Sequence, residues 1–285
     1  KKYQQKRLFC LFEKGKLFYI EYNIRLFFYL LFFKQDIICA IDLDTALPNF
    51  IVSKLKRKPF VYDAHEYFTE MEEVVTRPFT KYTWKMIEKI IVPRTKYAYT
   101  VSNGYKELFE KEYGTPFEII RNATVLKDLP ENGKKEAYIL YQGAVNYGRG
   151  LTQLIEAMQY IDYQLIICGT GDLLNDLTAL TKQLDLTKKV IFKGFVEPKE
   201  LINYTRNATM GITIFENAGL SNQYSLANRW FDYMHALVPQ IAMNYPEYKI
   251  FNEKYPIALL LDDLSVQTIS KNINLLLEDQ ELYRT

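Results

Sequence analysis

The chain has 285 residues, of which 48% are hydrophobic and 25% charged, with 12 Gly and 10 Pro. This excludes disordered, collagen-like and low-complexity classes and gives length for about two domains of roughly 100 to 200 residues. The 36 Lys and Arg against 34 Asp and Glu leave a net charge of +2, so no nucleic acid is expected as a partner.

In chain order, the first feature is a crowd of aromatic residues between Leu8 and Phe33. Its longest charge-free stretch, Leu26 to Phe33, is bounded by Arg25 and Lys34 and falls far short of the roughly 20 apolar residues of a membrane-spanning helix. No small-residue cleavage site follows a clean apolar run, so no signal peptide is expected. Residues 16–33 read as a helix buried against a sheet, with Glu21 and Arg25 paired one i,i+4 step apart. The other reading is an amphipathic face that touches a membrane surface, helped by the basic run at 54–58.

Short apolar runs at 36–41, 59–63 and 97–101 predict strands, and the helical spacing of 46–56 and 80–91 predicts helices between them. A polar stretch at 127–136 interrupts the pattern, which then restarts. Strands are predicted at 137–141, 163–168, 190–192, 210–214 and 240–242, and helices at 151–158, 173–184, 198–206, 226–237 and 265–278. The fold class is therefore α/β, with two Rossmann-like domains of mainly parallel sheet at 1–126 and 137–285, joined by a linker at 127–136 and facing across a cleft. Ligands are expected at the carboxyl ends of the strands and at the interdomain cleft. The cysteines Cys10, Cys39 and Cys168 lie in apolar runs and read as buried free thiols in a reducing, cytoplasmic setting. His65 and His235 are the only histidines, so no zinc-ligand spacing exists and no metal is expected.

Four segments carry candidate chemistry. Tyr62-Asp-Ala-His-Glu66 ends a strand and brings His65 to a strand terminus, where it is either structural or a ligand contact. The loop 141–150 contains Gly143, Asn146 and Arg149 between a strand and a helix, which suits a phosphate and equally suits a flexible turn with a surface arginine. Cys168-Gly-Thr-Gly-Asp172 lacks the third glycine of a dinucleotide fingerprint, since that position is Leu174. A tight turn with Asp172 capping the next helix is the plainer reading of Gly169 to Asp172. In the segment 216–239 a helix starts near Ser225, and Asn228, Arg229 and Asp232 follow at helical spacing. They form either an ion pair internal to the helix or a site with phosphate at the helix start and a ribose diol on Asp232. His235, mid-helix among apolar residues, reads as packing.

Taken in order, these segments resemble the retaining GT-B glycosyltransferases of the large family-4 group. The matching elements are Tyr62-Asp-Ala-His-Glu66, Val101-Ser-Asn-Gly104, Ile120-Arg-Asn122, Gln142-Gly143 with Arg149-Gly150, Gly169-Thr-Gly-Asp172, Phe192-Lys-Gly-Phe-Val196 and Asn228-Arg-Trp-Phe-Asp-Tyr-Met234 with Pro239. The resemblance implies a nucleoside-diphosphate sugar held mostly by the second domain and a glycan or lipid-linked acceptor held by the first. It implies transfer with retention of anomeric configuration, no cofactor and no required metal, a role in surface-polysaccharide or glycolipid assembly, and a place at the inner face of the cell membrane. By position it assigns Arg149 to the diphosphate, Asp232 to the ribose, and His65 to the neighbourhood of the reacting sugar. Gly143, Asn146, Gly169, Asp172, Ser225, Leu226, Asn228 and Arg229 are assigned to donor binding. The sequence departs from the family at Tyr224, where a second glutamate is usual, at Asp232, where Glu is usual, and at Ala144, where many relatives carry arginine. It also implies a first strand, glycine-bearing loop and helix before Lys1, and a closing helix after Thr285. A nucleotide-sugar epimerase of similar fold and a non-catalytic sugar-nucleotide binder are the competing readings.

Overall fold

The computed structural model describes residues 4–125 and 136–279. The predicted linker therefore lies almost wholly outside the described residues. The chain divides into two compact units, one of residues 1–121 with 219–221 and one of residues 122–218 with 222–285.

The first unit contains α1 (Gly15–Phe32), β1 (Ile38–Ile41), α2 (Leu43–Lys56), β2 (Phe60–Ala64), α3 (Glu72–Val75), α4 (Pro78–Ile91), β3 (Tyr97–Thr100), α5 (Asn103–Tyr113) and β4 (Glu118–Ile119). The four strands pair in the order β1-β2-β3-β4, all parallel. Helix α5 begins where the Ser102 side chain accepts the Tyr105 N–H and ends at Gly114, whose φ of +66° suits a left-handed cap. Beneath it, Phe109 stacks on Phe117 at 4.6 Å between ring centroids, and Phe117 meets Tyr62 edge to face. Glu88 is fully buried on α4 and satisfied by Lys85 at 2.8 Å and the Tyr113 hydroxyl at 2.5 Å.

Two expectations are corrected here. Helix α1 has no buried residue. It packs on α2, and Leu17, Ile20, Ile24 and Phe28 remain exposed, although Glu21 and Arg25 do pair at 2.7 Å. Of the three cysteines only Cys168 is buried. Cys39 is exposed because β1 is the edge strand and alternates between core and outer face.

The second unit contains β5 (Tyr138–Gln142), α6 (Leu151–Ala157), β6 (Gln164–Cys168), α7 (Leu174–Gln183), β7 (Val190–Gly194), α8 (Pro198–Asn207), β8 (Met210–Thr213), α9 (Leu220–Tyr224, whose first two residues are counted with the first unit), α10 (Asn228–His235), β9 (Gln240–Met243), α11 (Pro246–Lys254), β10 (Ala258–Leu261) and α12 (Val266–Glu278). Its six parallel strands run in the order β10-β9-β8-β5-β6-β7. The chain winds outward from β5 in one direction through β6 and β7, then crosses to β8 and winds the other way. The carboxyl ends of β5 and β8 therefore flank a topological switch point, the usual ligand crevice of such a sheet.

Helix α10 is anchored into this sheet. The Tyr233 hydroxyl donates to the Leu140 carbonyl at 2.9 Å, and Gly211 on β8 leaves room for the Tyr233 ring, which a Cβ there would meet at 2.5 Å. The helix is shorter than the predicted 226–237. The Ala227 N–H is taken by the Tyr248 hydroxyl at 3.0 Å, and the chain leaves the helix at Leu237, with φ of +53°. The α/β class and parallel sheets match the expectation.

Candidate functional site

At the switch point, two loops are locked into one another. The loop after β5 turns at Gly143, whose φ of +138° few side chains tolerate. A Cβ on Gly169, in the loop after β6, would fall 1.8 Å from the Gly143 carbonyl oxygen, and one on Gly171 would fall 2.2 Å from the Asn146 side-chain oxygen. The loops are tied by hydrogen bonds from Val145 N to the Thr170 carbonyl at 2.9 Å and from Asp172 N to Asn146 Oδ1 at 3.1 Å. The glycines of 168–172 thus serve close packing of two backbones. Asp172 is exposed and does not cap α7, which starts after Leu173 without a side-chain cap, so the capping expectation is corrected.

Two arginines converge beside these loops. The Arg149 guanidinium lies 5.0 Å from the centroid of Phe215, in the segment after β8. Arg229, on the first turn of α10, is only 8% exposed and is sandwiched between Tyr141 at 4.8 Å and Phe215 at 4.6 Å. Its Nη1 sits 3.0 Å from the position a Cβ on Gly143 would take. The internal Arg229–Asp232 ion pair does not form, because Arg229 turns into the core while Asp232 points along another face of the helix.

The Asp232 carboxylate accepts from the Gln142 side-chain amide at 2.9 Å and from the Thr124 hydroxyl at 3.0 Å. Burial raises its pKa above the usual value, with Thr124 and Gln142 opposing the shift. Gln142 is itself fixed, since its carbonyl oxygen accepts from the Thr205 hydroxyl at 2.7 Å. Asp232 lines a cavity of about 350 Å³ with Gln142, Leu201, Ile202, Thr205 and His235. His235, expected to be packing, is the last residue of α10. It opens onto this cavity, with Nδ1 3.2 Å from the Thr124 hydroxyl. Asn228 is exposed, Ser225 is half-buried, and the Leu226 side chain is buried, so Leu226 can offer a ligand only its backbone.

In the first unit, His65 follows β2. Its Nε2 lies 3.0 and 3.1 Å from the two carboxylate oxygens of Asp63, which is buried and also accepts from the Tyr99 hydroxyl at 2.7 Å. Asp42, after β1, accepts the Glu66 N–H at 3.0 Å, and burial pushes its carboxyl up to about 6, against the opposing Glu66 bond and His65. A carboxyl with a perturbed pKa at a strand's carboxyl end has the character of a functional site.

The sequence pattern of the glycosyl transferases group 1 family matches residues 125–285, more than half of the chain. The chain belongs to this family. Within the match lie the interlocked loops, both arginines and the Asp232 cavity.

A segment of 91 residues is 33% identical to the glycosyltransferase MJ1607 of Methanocaldococcus jannaschii, over 30% of this chain and 23% of that one. Among solved structures, sucrose-phosphate synthase from Thermosynechococcus elongatus superposes with a TM-score of 0.75 at 17% identity, covering 93% of this chain and 70% of that one. The Staphylococcus aureus protein TarM, solved with UDP, α-GlcNAc-glycerol and fondaparinux, superposes at 0.73 with 14% identity, covering 91% of this chain and 52% of its own. Anabaena HepE, solved with UDP and glucose, superposes at 0.72 with 14% identity, covering 88% of this chain and 70% of its own. At these identities the likeness is one of fold, the GT-B fold of two parallel-sheet units. The chain spans about half the length of TarM.

Several side chains beyond the expected set shape this region. Gln142 and Thr205 hold Asp232, and Phe215 and Tyr141 wall the arginines. Gln142 had a signal, since it precedes Gly143 at the end of a strand. Phe215 and Tyr141 read as ordinary core aromatics until the chain is folded.

Proposed function

We propose that the protein transfers a sugar from a nucleoside-diphosphate sugar to a glycan or lipid-linked acceptor, with retention of anomeric configuration and without a required metal. The observation that carries this reading is the adjacency of two kinds of site at one switch point. The Asp232 cavity suits a nucleoside, and the glycine loop with Arg149 beside it suits a diphosphate. Gln142, bonded to Asp232, is followed directly by Gly143, so the two sites adjoin. An ionised Asp232 accepts both hydroxyl hydrogens of a ribose diol. The UDP in the TarM and HepE structures supports a nucleoside diphosphate.

In the reaction, the bond between the anomeric carbon and the β-phosphate oxygen breaks, and its electron pair leaves with the nucleoside diphosphate. The acceptor hydroxyl oxygen bonds to that carbon on the same face, and its proton passes to the departing phosphate oxygen. Arg149 and the loop amides lower the barrier because negative charge develops on the leaving group. In this reading His65, held by Asp63, serves the sugar and acceptor side.

The test is a panel of nucleoside-diphosphate sugars, read by thermal shift and by release of free nucleoside diphosphate. A ligand at 100 times its Kd is expected to add about 2.7 kcal/mol of stability. Failure to bind or turn over any donor overturns the reading, and conversion of a donor to its epimer without acceptor assigns an epimerase instead. The product of an active pairing is expected to keep the donor's anomeric configuration by NMR.

The reading includes a peripheral contact with the inner face of the cell membrane. Among the described residues no helix is long and apolar enough to cross one. Helix α4 exposes Phe79, Tyr82, Met86 and Ile90 along one stripe beside Lys89, and Lys16 lies over Phe79. Co-sedimentation with anionic but not zwitterionic vesicles at low salt is expected. No sedimentation with either refutes the contact.

A further inference from the structure

We propose that His235 reads the base of the bound nucleotide, accepting a ring N–H through Nε2, and so selects uracil or guanine over cytosine and adenine. The inference rests on the nucleotide-sugar reading and names the class of base that its nucleoside end takes.

Thr124 has a single hydroxyl hydrogen and two neighbours able to take it, Asp232 Oδ1 at 3.0 Å and His235 Nδ1 at 3.2 Å. The carboxylate is charged and nearer, so the hydrogen goes to Asp232. The Thr124 oxygen then turns only lone pairs toward Nδ1, and a lone pair on Nδ1 would repel them. Nδ1 therefore carries the ring hydrogen and donates it to Thr124. In the neutral imidazole this leaves Nε2 as a bare acceptor. Among the described residues Nε2 meets no hydrogen-bond partner, and His235 lines the cavity that Asp232 lines.

The position of His235 on α10 indicates what it meets. Asp232 and His235 are three residues apart on this helix, which puts them on one face with a rise of about 4.5 Å between them. With the diphosphate at the glycine loops and the ribose diol on Asp232, the base is the part left to house. It hangs from the carbon next to one of the two that carry the diol, so it stays close to Asp232. Pro198, Leu201, Ile202 and Ala236 give the cavity apolar walls suited to a flat ring. Midway along the pairing edge, uracil and guanine carry a ring N–H, whereas cytosine and adenine carry a ring lone pair. A bare acceptor attracts the first two and repels the others.

The experiment measures affinities of the wild-type chain, His235→Ala and His235→Gln for UDP, CDP, GDP and ADP by calorimetry, with N3-methyl-UDP and 2′-deoxy-UDP as further probes. The wild type is expected to prefer UDP to CDP and GDP to ADP by about tenfold within each size-matched pair, the size of one hydrogen bond, and to hold N3-methyl-UDP no better than CDP. In His235→Ala both ratios are expected to fall below about threefold, while His235→Gln, whose side-chain oxygen is again an acceptor, keeps part of them. The preference for UDP over 2′-deoxy-UDP, which belongs to Asp232, is expected to stay unchanged in both variants. Nitrogen NMR of the wild type is simple because the chain has only two histidines, and it is expected to show His235 protonated at Nδ1 and bare at Nε2 at neutral pH. A hydrogen on Nε2, ratios that persist in His235→Ala, or a loss of the 2′-hydroxyl preference in place of the base preference overturns the proposal while the nucleotide-sugar reading stands. A wild-type chain that binds none of the nucleoside diphosphates overturns both.

Discussion

Asp42 holds a carboxyl that the first unit disfavours in its charged form, and replacing it by asparagine tests the electrostatics of that strand end. Burial raises its pKa from 3.8 to about 6, against opposing contributions from the Glu66 N–H and His65. A shift of this size corresponds to about 3 kcal/mol, at 1.36 kcal/mol per unit. The folded carboxyl keeps its proton to higher pH than the unfolded one, so this group's contribution to stability declines as pH rises from about 4 to about 6, and the full cost applies above that. Asparagine does not ionise, its side-chain oxygen still accepts the Glu66 N–H, and it adds no bulk to the backbone of Asp42, at φ 55° and ψ 173°. Asp42→Asn is therefore expected to match the wild type near pH 4 and to exceed it by up to about 3 kcal/mol at pH 8, or roughly 6 to 12 °C in Tm. Thermal melts of both proteins across that range, compared as a difference, isolate the group. A difference that is flat with pH, or that closes as pH rises, refutes the reasoning.

Three further outcomes are expected. Gly169→Ala places a Cβ 1.8 Å from the Gly143 carbonyl oxygen and is expected to cost about 1 to 3 kcal/mol in urea denaturation, together with nucleoside-diphosphate affinity. Asp232→Ala is expected to abolish the preference for a ribonucleoside diphosphate over its 2′-deoxy analogue, a preference of about tenfold in the wild type if one charge-assisted hydrogen bond is at stake; calorimetry with both ligands reads it. Lys85→Met leaves the fully buried Glu88 without its cation and is expected to cost about 3 to 5 kcal/mol at neutral pH. Because burial already raises the Glu88 pKa, that loss is expected to shrink in acid as the carboxyl takes up a proton, which melts of the variant at two pH values show.

Much of the scaffold was legible because periodicity reports burial. The central strands β5, β6 and β8 are apolar runs covered on both faces. Strand β4 spans only two residues, too short a pattern to read, whereas the apolar run that forms β10 was passed over. Helix α1 differs from the expectation because a strongly apolar helix is normally buried, yet this one packs on α2 and touches α4 through Tyr19 and Lys16 while the rest of its apolar surface stays open. At the site, local chemistry offered Arg149, Gly143 and Asp232 as candidates with plainer alternatives, and the family resemblance gave them roles. Neither could tell whether Arg229 pairs with Asp232 or turns inward, since both lie within one helical turn and only the aromatic walls at Tyr141 and Phe215 decide. His235 read as core because apolar neighbours surround it in the sequence, while the fold opens its end of α10 onto the cavity.

The interlocked glycine loops carry a consequence for how such a site diversifies. With Gly169 against the Gly143 carbonyl and Gly171 against Asn146, neither Gly169 nor Gly171 can gain a side chain unless the facing loop moves as well. Substitutions of these glycines therefore disturb the packing before they can alter specificity. New preferences must instead enter one side chain at a time from α8 and α10, where Leu201, Ile202, Thr205 and His235 face open volume. In the proposed reading, the diphosphate end of the site is thus the constrained one, and the nucleoside end is the one that single substitutions can reshape.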